Sequence, residues 1–505
     1  KNTETKFRIG SISKQFTAAV IMKLVEEGKI KLDGKITDYL KDYRKDTGEK
    51  VTIRNLLNHT SGIKSYTDMP GVWKDSLRNH YEKNYFIKHF HSGDLEFEPG
   101  TKFAYNNSGY YLLAAIAEEV AGKSFEKLFN EIIIKPAGLS ATGVESSDET
   151  AVKKLASGYL KKINKYQRDP YIYMPNALGA GSVYSTVEDM FKWDAALREN
   201  KVISDSSKKA MLTPKLSNYG FGWIIIKSQK FNSTDSVTVI THGGGINGFN
   251  TLVMSSLEDY RYAAVFNNTG IAPLGEIARK IMNILDGKEV EFPKKPIKDY
   301  LYEVINDEGI ETALENYRRL KEEEEGLFDF SESQLNTLGY ILLNDKRLEE
   351  AIAIFKLNVE IFPNSSNVYD SMAEAFKKKG DDEKAVEYYK KSLELNPGNN
   401  NAVQMLKELG AEPSTDSVEL KEETLKRYAG EYILTPNFTV KIRVDGNRIF
   451  AKATSQAEFE IFPMNKTKFY YKVVNAQIEF LETDGKIDRL TLYQNGRELP
   501  AKKIK

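Results

Sequence analysis

The sequence predicts a multidomain protein: a mixed α/β (α+β) domain with an antiparallel sheet flanked by helices, then an α-helical repeat segment, then a C-terminal antiparallel β meander or barrel. Three observations carry this. The chain has 505 residues, 41% of them hydrophobic, which is too long for one ordinary core. Short apolar runs alternate with helical periodicity up to residue 285, and from 297 the chain turns almost wholly helical and rich in Glu, Lys, Leu and Ala. Beyond 418, apolar and polar residues alternate as in half-buried strands. These shifts divide the chain into 1–290, 291–410, a linker at 411–422, and 423–505.

In the first domain, the stretch Ile12–Glu27 puts Phe16, Ala19, Val20 and Leu24 on one helical face, and Gly28 ends it. A second helix is expected from Gly109 to Val120, closed by Gly122. The string AGSVYSTVEDMFKW reads as a turn and then a helix, with Thr186 and Asp189 spaced as a capping box. Strands are expected at Phe221–Ile226, Ser236–Thr241, Asn250–Ser255 and Tyr260–Asn267.

In the helical segment Tyr369, Met372, Ala373, Phe376, Gly380, Ala385, Tyr389 and Pro397 recur in phase with Leu335, Leu338, Gly339, Leu342, Lys346, Ala351, Phe355 and Pro363. A period of about 34 residues with small and large positions in register resembles the tetratricopeptide repeat. Lys346 stands where that repeat expects a turn glycine, GIETALENYRRL reads as a divergent helix of the array, and Asn401–Leu409 reads as its cap. Two complete repeats make a short stack that leaves room for a protein partner or for self-association. In the last domain, strands are expected at Phe438–Val444, Arg448–Ala453, Phe469–Val473, Ile478–Leu481 and Arg489–Tyr493. Turns are signalled by Asp445-Gly446, Asp484-Gly485 and Asn495-Gly496. A small, lipocalin-like β-rich domain is the natural outcome.

Charge is balanced at 72 basic and 72 acidic residues, which argues against nucleic acid as a main partner. No cysteine is present, so thiol catalysis, disulfides and cysteine zinc sites are excluded. No stretch approaches the roughly 20 apolar residues that span a bilayer. A periplasmic or secreted location follows if an upstream signal has been removed, and the cytosol stays open as well.

Ser11 and Lys14 form a Ser-x-x-Lys pattern at the start of the first helix, close enough for a neutral amine to take the hydroxyl proton. The same spacing recurs at Ser61/Lys64, Ser124/Lys127 and Ser206/Lys209, so context must select among them. The context is FRIGSISKQFTAA around Ser11, FAYNNSGYYLL with Tyr105 and Asn107, and THGGGINGF with His242, Gly243 and Gly244. In order and spacing these resemble the three motifs of the β-lactamase-related, penicillin-recognising serine hydrolases: class C β-lactamases, DD-peptidases, D-aminopeptidases and esterases. LLNHTSGI at 56–63 and GAGSVYSTVEDM at 179–190 match the same family.

The resemblance implies Ser11 as acylated nucleophile, Lys14 as its base, and Tyr105 as proton shuttle to the leaving group. It implies Asn107 as the partner that orients Lys14 and binds substrate, and the Ser11 and Gly245 N–H groups as oxyanion hole. Gly243 and Gly244 are expected to lie flat under the substrate, and His59 either to form a structural wall near the cleft that meets substrate or simply to pack. His242 stands where classical β-lactamases carry lysine; a histidine near its usual pKa offers only a partial charge, which favours peptidase, amidase or esterase chemistry over β-lactam hydrolysis. No metal and no organic cofactor are implied. His80, His89 and His91 lack an accompanying acidic ligand pattern and read as a surface helix and turn. Relatives carry a helix and two strands before the nucleophile helix, whereas ten residues precede Ser11 here, so the sheet is expected to lack strands on one side. The expected substrate is a small peptide, D-amino-acid peptide, amide or ester. The competing class is a non-catalytic or weakly active scaffold that recruits a protein through the repeats.

Overall fold

A computed structural model describes residues 3–73, 75–145, 152–162, 165–229, 236–270, 272–413, 419–435, 438–454, 456–474, 476–494 and 497–504. The chain forms two compact units, Lys1–Pro293 and Lys294–Lys505.

The first unit is built around helix α1, Ser13–Glu26. The sequence suggested one apolar face, but the helix is buried on nearly every side from Ser13 through Met22. Each of its buried polar side chains makes at least one hydrogen bond, although Gln15 Nε2 is left without a partner among the described residues. The Ser13 hydroxyl accepts from the Val183 N–H at 3.1 Å, the Thr17 hydroxyl donates to the Gly179 carbonyl at 2.7 Å, and Gln15 accepts from the Trp193 indole at 3.2 Å. Phe16 packs on Trp193 with ring centroids 4.4 Å apart. A second buried helix, α2, spans Asn107–Ala121 and ends at left-handed Gly122 (φ 62°).

Four strands form the antiparallel sheet among the described residues, in sequence order: β1 (Ile224–Gln229), β2 (Ser236–Ile246), β3 (Phe249–Ser256) and β4 (Tyr262–Asn267). Two of the strands start later than expected. β1 starts at Ile224 rather than Phe221 because Gly222 takes a left-handed conformation (φ 76°) against the α1 backbone. β4 starts at Tyr262 because Tyr260 itself has φ 59°. β2 is longer than expected and carries the His242–Gly245 motif on its far half. Its pairing to β1 ends at Thr241, while its pairing to β3 continues to Ile246. The strand edge beyond Thr241 is thereby left to the turn that holds Ser11.

In the second unit, helices Glu332–Asn344, Leu348–Ile361, Ser366–Lys379 and Asp382–Leu395 form the two repeats, preceded by Ile297–Asp307 and Ile310–Glu323 and followed by Asn400–Glu408. The C-terminal part is a closed antiparallel barrel of eight strands among the described residues, running from Gly430–Thr435 to Arg497–Lys503. Part of the linker (414–418) and the Asn495-Gly496 turn lie outside the described residues. Repeats and barrel touch around the turn after Asp382–Leu395: a β-carbon on Gly398 would come within 2.7 Å of the Tyr471 carbonyl oxygen, Asn400 Nδ2 donates to the Lys472 carbonyl at 3.2 Å, and Gln477 Nε2 donates to the Leu395 carbonyl at 3.2 Å.

Candidate active site

The sequence placed Ser11 in the first turn of the helix. The structure puts it in a 3-10 turn, Gly10–Ile12, just before α1. Gly10 adopts φ 51°, and a β-carbon there would lie 2.9 Å from the Gly245 nitrogen. Only glycine lets this turn sit directly on the edge of β2. Upstream, Phe7–Arg8 pairs antiparallel with Val183–Ser185, and Arg8 and Glu145 form a buried ion pair at 2.6 Å.

Lys14 Nζ lies 3.0 Å from Ser11 Oγ, 2.7 Å from Asn107 Oδ1 and 2.9 Å from the Ala180 carbonyl oxygen. The side chain is fully buried, and burial drives its pKa well below the usual lysine value. No carboxylate is among its hydrogen-bond partners. A neutral amine has two hydrogens and one lone pair. Asn107 and Ala180 present oxygens that can only accept, so they take the hydrogens and the lone pair is left facing the Ser11 hydroxyl.

The partners of Lys14 are themselves fixed. Asn107 begins α2, and Asn106 before it caps the helix by accepting from the Gly109 N–H at 2.8 Å. Asn107 donates its amide to Thr67 at 2.9 Å and its backbone N–H to Ser65 at 3.1 Å, which turns its oxygen toward Lys14. The Ala180 carbonyl is aimed by the preceding Gly179 (φ 67°), where a β-carbon would collide with the Tyr110 carbonyl.

Tyr105 is 38% exposed, and its ring centroid is 4.9 Å from Lys14 Nζ, beside Ser11. Desolvation raises the phenol's pKa, partly opposed by the nearby Ser11 hydroxyl, so the group stays protonated at neutral pH. Ser11, Lys14, Tyr105 and Asn107 are therefore brought together in one site.

Other sequence expectations are corrected. Of the two roles open to His59 the structure shows packing and not substrate contact: it is fully buried, its Nδ1 accepts from the Asn106 N–H at 3.0 Å, and its ring packs 4.3 Å from that of Tyr105. It lies behind the tyrosine and supports it. Gly244 is also buried, and its lack of a side chain answers to the Ile9 carbonyl against which a β-carbon would collide, so substrate is not the reason for this glycine. Gly243 has only the Thr251 carbonyl at 3.7 Å beside its β-carbon position, and Gly245 is exposed with nothing within 4 Å. His242 is 3% exposed and its pKa is pushed down to about 3 by burial and the nearby Lys14, so it is neutral rather than partly charged. His91 is no surface residue: it is fully buried among Tyr66, Phe86 and Tyr111.

Sequence reasoning did not single out Thr67, Ser65, the Ala180 carbonyl or Tyr219. The GAGS string at 179–182 was a usable signal for the Ala180 turn, since two glycines flank it; Ser65 and Thr67 carry no signal beyond loop composition. Among the described residues no group of three His, Cys, Asp or Glu side chains is placed to hold a metal, and no helix is long and apolar enough to cross a membrane.

The beta-lactamase family profile matches residues 2–282. The chain belongs to the beta-lactamase family. A tetratricopeptide repeat profile matches 366–399, and a domain of unknown function, DUF3471, matches 415–503. Within the family, penicillin-binding protein 4* of Bacillus subtilis (strain 168) is 27% identical over 383 residues, covering 72% of this chain and 80% of that protein. A D-aminopeptidase of Brucella ovis is 25% identical over 305 residues, covering 58% and 55%. The octameric penicillin-binding protein homologue from Pyrococcus abyssi shares the fold, with TM-score 0.50 and 20% identity over 99% of this chain and 89% of that one. Membership in this family supports enzymatic activity of the general serine-hydrolase type.

Proposed function

We propose that the chain is a serine hydrolase that acts through an acyl-enzyme on a small peptide, D-amino-acid peptide, amide or ester. The observation that carries this reading is the fully buried Lys14, whose two acceptor partners leave its lone pair to the Ser11 hydroxyl. Ser11 Oγ attacks the substrate carbonyl while its proton passes to Lys14 Nζ. The resulting oxyanion is held by the N–H groups of Ser11 and Gly245, a role consistent with the open surface at Gly245 and its closeness to the Gly10 turn. Tyr105, protonated and beside Ser11, gives its proton to the leaving group and recovers one from Lys14, and water then resolves the ester by the reverse route. Asn107 keeps Lys14 aimed. The neutral His242 supports substrates that need no cation beside the strand, as does the resemblance to D-aminopeptidases.

The test is intact-mass spectrometry after exposure to a fluorophosphonate, with Ser11→Ala as control. A single adduct on the parent that is lost in the variant is expected. A folded parent that stays unlabelled would sink the reading.

A further inference from the structure

One buried hydroxyl near the site has no part in the chemistry above. Tyr219, in the turn before β1, is 2% exposed. Its hydroxyl lies 2.9 Å from His242 Nε2, and His242 Nδ1 lies 2.6 Å from the Gly243 carbonyl oxygen. A carbonyl only accepts, so Nδ1 carries the hydrogen; Nε2 is then the acceptor and Tyr219 the donor. Both ring nitrogens are engaged inside the protein.

Tyr219 is itself held firmly. Its ring packs 4.5 Å from His59, 5.8 Å from Phe103 and 6.2 Å from Tyr105. Its turn is pinned at Gly222, where a β-carbon would fall 2.7 Å from the Lys14 carbonyl oxygen. The turn that rests on the Lys14 backbone therefore also delivers the hydroxyl to His242.

We propose that Tyr219 is a positioning residue for specificity: by donating to His242 Nε2 it locks the third motif as a neutral imidazole with no donor free for substrate. The enzyme then favours acyl donors whose departing side bears no carboxylate, such as D-aminoacyl amides and esters, over free peptide carboxylates and β-lactams. This deepens the serine-hydrolase reading and rests on it. The titratable groups that face the imidazole are Lys14 from α1, Tyr105 before α2, His59 and Tyr219, and none of them is an acid that would favour an imidazolium. A substrate carboxylate arriving at His242 meets a neutral imidazole rather than a cation, and pays desolvation without return.

Two measurements test this. The chain has five histidines, so nitrogen-15 histidine labelling with His242→Gln as the assignment control resolves the ring. In the parent, His242 is expected to keep the neutral tautomer with hydrogen on Nδ1 from about pH 5 to 8. In Tyr219→Phe, Nε2 loses its donor, so the neutral form is less favoured and the titration moves up from the parent's toward that range. The matched substrates D-Ala-D-Ala and its C-terminal amide report specificity. Their kcat/KM ratio, acid over amide, is expected to rise about tenfold in Tyr219→Phe at the acidic end, a change of about 1.4 kcal/mol. A parent His242 that titrates near its usual value overturns the proposal, even if the variant does not fold. So does a folded Tyr219→Phe with unchanged tautomer and ratio. Failure of Ser11 to label in a folded parent would instead strike the hydrolase reading, while the histidine spectrum still decides the hydrogen bond.

Discussion

His91 makes the first unit acid-sensitive in a way that can be calculated. The imidazole is fully buried, neither ring nitrogen has a hydrogen-bond partner among the described residues, and rings of Tyr111, Phe86 and Tyr66 lie 4.4, 4.8 and 4.9 Å away. Burial pushes its pKa down to about 3 from an ordinary 6.5. Below the ordinary value the unfolded chain binds a proton that the folded chain refuses, so stability is full above about pH 6.5 and is lost progressively as pH falls toward 3. At pH 5 the unfolded state has gained about 1.5 pH units of proton binding, or about 2 kcal/mol. That figure needs only a folded pKa below 5. The perturbation is His91→Phe, which keeps a ring among rings and removes the titration. Urea unfolding can be followed by tryptophan fluorescence, because the chain's three tryptophans, Trp73, Trp193 and Trp223, all lie in the first unit. Between pH 7.5 and 5.0 the parent should lose about 2 kcal/mol more than the variant. His59 and His242 contribute acid loss to both proteins alike and cancel in the difference. Equal losses in parent and variant would mean that the folded state accepts the proton on His91, and would refute the reasoning.

Asn107→Asp places a carboxylate where an amide oxygen now sits 2.7 Å from Lys14 Nζ, which favours the ammonium form. Fluorophosphonate labelling of Ser11 needs the neutral amine, so its acid limb should move up by at least about one pH unit; a stationary limb would remove Lys14 as the base. Gly244→Ala should lower the unfolding midpoint by forcing a methyl into the Ile9 carbonyl, whereas Gly245→Ala should leave the midpoint alone and slow Ser11 labelling. Equal midpoints for the two would reject that division of roles. Lys346 holds φ 61° at the turn where the second repeat has Gly380 at φ 82°. Relief of an αL side chain, about 1–2 kcal/mol, less the extra chain entropy of glycine, about 0.5–1, predicts that Lys346→Gly stabilises the second unit by roughly 0.5–1 kcal/mol in circular-dichroism melts.

The repeats were legible because stacking demands large and small residues at fixed phase, and even the odd Lys346 marked a true left-handed turn. The barrel was legible only in part. Strands Phe438–Asp445 and Ala476–Thr483 were visible, while Gly430–Thr435, Glu458–Pro463 and Arg497–Lys503 were not. In the first two of these Tyr432 and Ile461 are the fully buried residues, and in the third Ala501 is, so a period of two has almost nothing to register on. Closure of the barrel supplies the pairing that the pattern does not announce. His91 failed for the opposite reason: a histidine beside Phe90 and near Lys88 looks solvated, and only the tertiary packing of Tyr66, Phe86 and Tyr111 encloses it.

The site shows what spacing can and cannot decide. Four Ser-x-x-Lys pairs occur, and all four satisfy the same helical geometry on paper. In three of them the structure leaves the lysine in water: Lys64 and Lys127 are exposed, and Lys209 is 77% exposed beside Asp205. Ser124 serves as an N-cap, accepting from the Lys127 N–H at 3.3 Å, which is a structural use of the same letters. Only Lys14 is buried, and only there do two carbonyl-type oxygens absorb the amine hydrogens. Solvation holds a lysine amine charged and useless as a base at neutral pH, whereas removal of water and of any countercharge makes it neutral. The nucleophile is thus specified by what surrounds its neighbour. Those surroundings come from three distant segments, at 65–67, 105–107 and 179–183, which explains why the motif acquires meaning only once the chain has folded.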